Sequence, residues 1–236
     1  MCYDWRMDRE LLFGYQHLMT DFATARARMI DSQVRPNGIT DGRIIQAMAL
    51  LPRELFVPES RRAIAYVDDD IEIGAGRALM EPMALAKLVQ LAEVGASDHV
   101  LHVGCGTGYA TALLAALCKS VVAIDEDQAL VDAASATLAR LRIANAKVLK
   151  AAHAAGWSGA QPYDAILVDG QVPAVPQALL QQLSDGGRLV AVVGDNLVAT
   201  ATLYSRHDGA VSSLPAFEAS VGRLPGVVVD RPGFVF

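Results

Sequence analysis

The apolar positions of the chain follow one pattern before Gly95 and another after it. After Gly95, five short and nearly continuous apolar runs have the character of strands that are buried on both faces. They are VLHV (100–103), VVAI (121–124), AKVL (146–149), DAILV (164–168) and RLVAVV (188–193). Helical spacing occurs between them, at 108–118 and 128–142. The alternation predicts an α/β fold in which helices cover a parallel sheet.

Before Gly95 the pattern predicts helices and turns. The expected helices are FATARARMIDSQV (22–34) with Thr20-Asp21 as its cap, IIQAMALL (44–51) up to Pro52, and a stretch that starts at Pro82. Residues 1–18 show no clear period. We therefore divide the chain into an N-terminal extension (1–18), a helical cap with a glycine-containing loop (19–81), and an α/β domain (82–236) that forms one structural unit with the cap.

Composition and charge narrow the range of partners. Hydrophobic residues make up 53% of the 236 positions, which is enough for a large core. The net charge is -6 and the chain has no Lys/Arg-rich run, so nucleic acid is not expected as a partner. No apolar run approaches the roughly 18 residues of a membrane helix, and the start MCYDWRMDRE is too charged for a signal peptide, so no membrane partner is expected either.

Cysteine and histidine usage indicates a reducing compartment and no metal site. Cys2, Cys105 and Cys118 lack C-x-x-C spacing, which argues against a disulfide scaffold or a zinc site and favours the cytoplasm. The histidines show no ligand spacing. His102 lies inside an apolar run and is interpreted as a hydrogen-bonded core residue.

The segment VLHVGCGTGYA carries the strongest local signal for a ligand. Gly104, Gly106 and Gly108 follow a buried strand and open a helix, where glycine lets the backbone turn sharply and approach a ligand. The third glycine comes one residue too early for the dinucleotide pattern G-x-G-x-x-G, so the spacing suits S-adenosylmethionine better. Cys105 is interpreted as a packing or cofactor-contact residue. The alternative is a plain strand-to-helix turn.

Acidic residues follow two further strand candidates, VVAI (121–124) and DAILV (164–168). Asp125 and Glu126 lie about 20 residues beyond Gly104, where a carboxylate accepts hydrogen bonds from both hydroxyls of a ribose. The alternative is that Asp125 only caps the following helix. Asp169 and Gly170 end a further strand candidate and either line the same pocket or form a turn.

Several blocks of the chain, taken together, resemble one family. They are MIDSQVRPNGITDGRIIQAMALLPRELFVP, AYVDDDIEIGAG, VLHVGCGTGYATALLA, PYDAILVDG and LSDGGRLVAVVG, in this order, over about residues 22 to 225. The family is that of the protein-L-isoaspartate (D-aspartate) O-methyltransferases, within the class I S-adenosylmethionine-dependent methyltransferases. The resemblance implies a Rossmann-like, mostly parallel seven-stranded sheet with helices on both faces and a reversed last hairpin. It also implies that Gly104, Gly106 and Gly108 face the cofactor and that Asp125 faces its ribose.

The stretch IGAGRALMEPM (73–83) matches the substrate loop of that family. The family's loop usually reads like I-G-x-G-x-T-I-S-x-P, and this chain carries Ala78 and Met80 where the hydroxyl residues stand. Arg77 is the candidate to replace them, because a guanidinium holds a carboxylate with two parallel hydrogen bonds. Glu81 either repels an anionic substrate or pairs with Arg77 on the surface. Met80 either fills the loop or forms a wall of the substrate site.

The resemblance implies a carboxyl O-methyltransferase that acts on L-isoaspartyl residues of damaged proteins. Its partner would be an isoaspartyl-containing protein or peptide. Two alternatives stay open because the loop chemistry differs: a family member with another methyl acceptor, and a non-catalytic protein that binds S-adenosylmethionine.

Overall fold

A computed structural model describes residues 22–227 of the chain. The predicted extension 1–18, and the predicted cap residues Thr20 and Asp21, lie outside the described residues. Within 22–227, no helix is both long and apolar enough to cross a membrane.

The N-terminal part is built from short helices. Helix α1 covers 22–29 and continues into a π-helical turn, Ile30–Val34, and a 3-10 turn, Arg35–Asn37. Helix α2 (Gly42–Leu50) is capped by Asp41, whose carboxylate accepts a hydrogen bond from the N–H of Arg43. Two more 3-10 turns follow at Arg53–Leu55 and Glu59–Ile64. These elements match the helices and turns expected from the sequence.

The segment expected to be a loop is instead a tight hairpin. Strand β1 (Ile71–Gly74) pairs antiparallel with β2 (Arg77–Leu79). Ala75 and Gly76 between them have φ of 53° and 67°, as both central residues of a type I′ turn require. The turn therefore fixes which face each residue of the hairpin presents, and Arg77 faces inward.

The remaining elements form the α/β part. Helix α3 (Pro82–Leu91) leads to β3 (His99–Val103), α4 (Tyr109–Ala115), β4 (Ser120–Asp125), α5 (Gln128–Arg140) and β5 (Ala146–Lys150). Then come β6 (Tyr163–Val172), α6 (Gln177–Gln181), β7 (Leu183–Val193), β8 (Ala199–His207) and β9 (Ala210–Ala219). All five strands predicted from the apolar runs are present.

The sheet has seven strands in the order β5-β4-β3-β6-β7-β8-β9. Strands β3 to β7 run parallel, and β8 and β9 pair antiparallel, each with the strand that precedes it. This arrangement confirms the Rossmann-like methyltransferase class with its reversed last hairpin. The order changes direction between β3 and β6, and ligands of open α/β sheets bind at such a switch point, outside the carboxyl ends of the strands.

Buried apolar residues lie on both faces of the sheet. One cluster joins the N-terminal helices, through residues such as Met48 and Phe56, to α3 and α4, and the other packs under α6. The cap and the α/β part thus share a core. The division of the chain at residues 81 and 82 stays an interpretation.

Candidate active site

The glycine loop follows β3 and turns directly into α4. Gly104, Gly106 and Gly108 have φ of 78°, 52° and 95°, values that residues with a side chain rarely adopt. The N–H groups of Gly104 and Cys105 both donate to the carbonyl of Ile124 at 2.9 Å, which ties the loop to the end of β4. The loop therefore lies at the carboxyl ends of two adjacent parallel strands, as the sequence predicted.

Asp125 ends β4 and is 1% exposed. Its Oδ2 accepts from the N–H of Gly106 at 2.9 Å, and its Oδ1 accepts from the N–H of Asp127 at 3.2 Å. Burial alone would raise the pKa of this carboxyl, but His153, Arg77 and the N–H of Gly106 outweigh it and lower the pKa to about 2. Asp125 is therefore a buried, ionised carboxylate at the glycine loop. It does not cap α5, because Asp127 does.

His153 is a residue of the site that sequence reasoning missed. Its Nδ1 lies 2.8 Å from the carbonyl oxygen of Pro225 and donates there, and its Nε2 lies 3.3 Å from the backbone nitrogen of Glu126. The same Nε2 is 3.5 Å from Asp125 Oδ1, and the N–H of His153 donates to Glu126 Oε1 at 2.8 Å. Its only sequence signal was an isolated histidine after a strand.

Arg77 points into the glycine loop rather than towards solvent. Its Nη2 donates to two carbonyl oxygens, that of Gly104 at 2.7 Å and that of Asp169 at 2.9 Å. Its Nη1 is 3.6 Å from Asp125 Oδ2 and makes no hydrogen bond. With 4% of its surface exposed, the side chain is not placed to pair with Glu81 on the surface. A role for Arg77 in holding a substrate carboxylate stays a prediction, which this conformation does not support.

A C-terminal segment, 221–227, covers the loop. We call it the strap. The N–H of Gln171 donates to the carbonyl of Gly222 at 2.8 Å, and the N–H of Leu224 donates back to the carbonyl of Gln171 at 2.9 Å. The side chain of Leu224 is 3% exposed and lies over Gly104 and Gly170. Gly170 has a φ of 135°, and a Cβ there would meet the strap's own backbone.

Beneath the loop, His102 belongs to a buried polar cluster. Its Nδ1 is 2.8 Å from Thr111 Oγ1, and its Nε2 is 3.3 Å from Asp169 Oδ2. His102 is fully buried, so its interpretation as a hydrogen-bonded core residue is confirmed. Asp169 and Gly170 lie within β6 and line the crevice, and they do not form a turn.

Two of the predicted site residues, Cys105 and Met80, are buried. Cys105 stands before α4, where a thiol pKa often falls, but burial and the nearby Asp125 raise its pKa instead. The thiol is therefore not activated as a nucleophile, and its packing or cofactor-contact role stays a prediction. Met80 is 3% exposed and fills the core, and its carbonyl accepts from Arg53 Nη2 at 2.7 Å.

Glu81 stands at the exit of the hairpin beside three aspartates. Its N–H donates to Asp70 Oδ1 at 2.8 Å. Burial, and then the charges of Asp68, Asp70 and Asp69, raise the pKa of the Glu81 carboxyl to about 7.

The structure thus gathers the predicted cofactor residues and Arg77 at one crevice, at the carboxyl ends of β3, β4 and β6, whereas Glu81 lies beside the aspartates 68–70. Among residues 22–227, no group of histidine, cysteine or acidic side chains is arranged to hold a metal ion.

Comparison with known proteins places the chain in a family. The family model described as Protein-L-isoaspartate(D-aspartate) O-methyltransferase (PCMT) matches residues 25–219. Protein-L-isoaspartate O-methyltransferase 1 of Rhodopseudomonas palustris (strain HaA2) is 40% identical over 175 residues, which cover 74% of this chain and 71% of that protein. The protein-L-isoaspartate O-methyltransferase of Methylorubrum populi is 43% identical over 176 residues, or 75% of this chain and 82% of that protein.

Solved structures agree on the fold. A protein-L-isoaspartate O-methyltransferase superposes with a TM-score of 0.74 at 23% identity, over 85% of this chain and 66% of that one. A putative protein-L-isoaspartate O-methyltransferase from Plasmodium falciparum, in complex with S-adenosyl-L-homocysteine, gives 0.74 at 18% identity, over 85% of this chain and 98% of that one. The sheet order, the glycine loop and the sequence match lead to one conclusion: the chain belongs to the protein-L-isoaspartate (D-aspartate) O-methyltransferase family.

Proposed function

We propose that this protein is an S-adenosylmethionine-dependent carboxyl O-methyltransferase that esterifies L-isoaspartyl residues of damaged proteins. The observation that carries the proposal is the glycine loop of β3 held against the ionised Asp125 at the end of β4. Family membership supports the same activity. We include a cytoplasmic location in the proposal, since Cys105 and Cys118 are both free thiols.

The hydrogen-bond acceptors at the carboxyl ends of β3, β4 and β6 fit S-adenosylmethionine. The carbonyl oxygens of Gly104 and Asp169 are acceptors for an ammonium group, and they already accept from a cationic side chain. An ionised carboxylate offers about four lone-pair sites, and Asp125 uses two of them for backbone N–H groups, which leaves acceptors for ribose hydroxyls. Gly104, Gly106 and Asp125 would therefore hold the cofactor.

The chemistry requires little of the protein beyond alignment. The cofactor, when bound, supplies a methyl group on a positively charged sulfur. A substrate carboxyl with an ordinary pKa of about 4 is ionised at neutral pH, so no general base is needed to deprotonate it. The chain's own residues must hold the carboxylate in line and exclude water. Arg53 donates to the carbonyl of Met80 and Asp70 accepts from the N–H of Glu81, and these two hydrogen bonds position the hairpin exit in this conformation.

A direct assay tests this function. An L-isoaspartyl peptide and its normal aspartyl twin are incubated with the protein and S-adenosylmethionine carrying a labelled methyl group. We expect ester formation on the isoaspartyl peptide alone. Cofactor binding in calorimetry without transfer to either peptide would contradict the proposed substrate.

One observation favours a second candidate function, a different methyl acceptor. Ala78 and Met80 offer no side-chain hydroxyl in the matched substrate loop, and Met80 is buried. One missing hydrogen bond typically costs about 1–3 kcal/mol, roughly ten- to a hundredfold in rate. Transfer to another carboxylate, but not to the isoaspartyl peptide, in a competition between acceptor compounds would favour this candidate.

The raised pKa of Glu81 predicts a pH dependence. The pKa of Glu81 is about 7 in the folded protein and has its ordinary value of 4.5 in the unfolded chain. Between these pH values the folded protein keeps a proton that the unfolded chain loses. The contribution of Glu81 to stability therefore becomes less favourable as pH rises through the range from about 4.5 to about 7. Above it, a charged Glu81 also repels an anionic substrate. We expect the KM for the isoaspartyl peptide to rise severalfold from about pH 6 to about pH 8. Steady-state kinetics of Glu81→Gln should show a flatter profile, and an equally steep one would remove Glu81 from the substrate site.

A further inference from the structure

The space above the glycine loop is filled by the chain's own side chains. A Cβ built on Gly104 would lie 2.6 Å from Leu224 Cδ1 and 2.8 Å from Arg77 Nη1, and one built on Gly106 would lie 2.7 Å from Ile73 Cδ1. The cavity that remains beside Asp125 has a volume of about 180 Å³. Pockets for small molecules usually measure about 300–1,000 Å³. A nucleoside-sized cofactor therefore does not enter this conformation without a rearrangement.

Arg77 occupies the switch point of the sheet. The two carbonyl oxygens that its Nη2 bridges belong to the loop after β3 and to β6, the strands between which the order reverses. Carbonyl oxygens and the Asp125 carboxylate together make this crevice attractive to a cation. The cation that occupies it here is the guanidinium of Arg77.

The strap closes the crevice from the other side and lies beyond the family match, which ends at residue 219. It is held to the body of the protein at several points. Gly222 donates its N–H to Asp70 Oδ2 at 2.6 Å, and the carbonyl of Pro225 faces His153 at 2.8 Å. Asp70 also holds Glu81, so the hairpin exit and the strap share one carboxylate.

We propose that Arg77 and Leu224 form an intramolecular plug in the cofactor site, so that cofactor binding requires the hairpin β1–β2 and the strap to open. The identity of the cofactor rests on the proposed function. A closed form lowers the apparent affinity by the fraction of molecules that are open. The turn at Ala75 and Gly76 is exposed, so the hairpin can open from that side.

Calorimetric titration with S-adenosyl-L-homocysteine, the unreactive product form of the cofactor, tests the plug. We expect Arg77→Ala to bind it at least tenfold more tightly than the wild type, because two backbone acceptors and the space become available. Arg77→Lys should stay near the wild type because it keeps a cation there. Arg35→Ala is the matched control and should not change the affinity, because Arg35 is exposed and its ion-pair partner is Asp31, one turn earlier in the N-terminal helical segment.

Leu224→Ala is a second variant, which removes no charge. It tests the plug even if Arg77→Ala does not fold. Circular dichroism establishes that both variants are folded. We expect Leu224→Ala to bind severalfold more tightly than the wild type. If folded Leu224→Ala and folded Arg77→Ala bind no more tightly than the wild type, the plug is overturned.

Amide hydrogen exchange gives a signature that most ligands do not produce. S-adenosyl-L-homocysteine should speed up exchange in residues 71–79 and 221–227 of the wild type, whereas a ligand that enters a preformed site slows exchange around it. Slower exchange in both segments would contradict the plug.

These readouts separate the plug from the proposed function. Tighter binding by Arg77→Ala without transfer to the isoaspartyl peptide supports the plug and contradicts the substrate. Transfer by the wild type, together with unchanged affinity in Arg77→Ala, supports the substrate and contradicts the plug.

Discussion

Asp125→Ala is expected to reduce methyl transfer by roughly a hundredfold or more, and to destabilise the fold by about 3 kcal/mol or more. The variant removes the acceptor proposed for the cofactor's ribose. It also leaves the N–H of Gly106, the N–H of Asp127 and the guanidinium of Arg77 without their buried partner. Removing one partner of a buried charge pair costs more than the pair itself contributes, because the remaining charge stays desolvated.

Urea unfolding and a methyl-transfer assay measure the two effects. Asp132→Ala is the matched control, because Asp132 is exposed on α5 and accepts from the side chain of Gln128 at 2.8 Å. A stability of Asp125→Ala within the range of this control would show that the carboxylate does not hold the glycine loop.

The lowered pKa of Asp125 predicts that the folded protein loses stability in acid. Because the pKa of Asp125 falls from 3.8 to about 2 on folding, its charged form stabilises the folded state at all pH values above the ordinary value. This contribution, about 2 kcal/mol, is lost as pH falls from about 4 to about 2. Denaturation curves at several pH values should lose this step in Asp125→Ala.

Arg53→Met is expected to cost about 3 kcal/mol of stability and to slow methyl transfer. Arg53 is completely buried and donates from Nε to the carbonyl of Ala65 and from Nη2 to that of Met80, both at 2.7 Å. Its guanidinium also lies 4.9 Å from the ring centroid of Tyr109. Methionine fills much of the volume but leaves two buried carbonyls without donors.

Arg43→Met provides the comparison, since Arg43 is half-exposed and pairs with Asp41. Its replacement should change stability by less than about 1 kcal/mol. Thermal and urea unfolding of the two variants, with steady-state kinetics, give the difference. Equal stability of the two variants would mean that Arg53 does not link the N-terminal helices to the substrate hairpin.

The strands near the centre of the sheet were predictable because burial on both faces requires apolar side chains. A strand segment covered on both faces is mainly apolar, and this holds for residues 100–103 of β3, 121–124 of β4, 165–168 of β6 and 189–193 of β7. Strands β8 and β9 were expected only from the family resemblance. Most of β9 is exposed, so its residues carry no apolar pattern.

The hairpin β1–β2 was not predicted from the local sequence pattern. Its glycines were recognised, but they were assigned to a loop, because two strands of four and three residues are too short to show a period. The positive φ of Ala75 was also not visible, since alanine rarely adopts it.

The sequence by itself determined the sheet of parallel strands, the glycine loop after β3 and the position of Asp125, because each depends on residues that are close along the chain. Only the tertiary structure decided what faces them. Arg77 contacts Asp169 across 92 positions, and Leu224 reaches Gly104 from the far end of the chain. Such contacts depend on how the folded elements fit together in shape and charge, and residues that meet in this way have no regular spacing in the sequence.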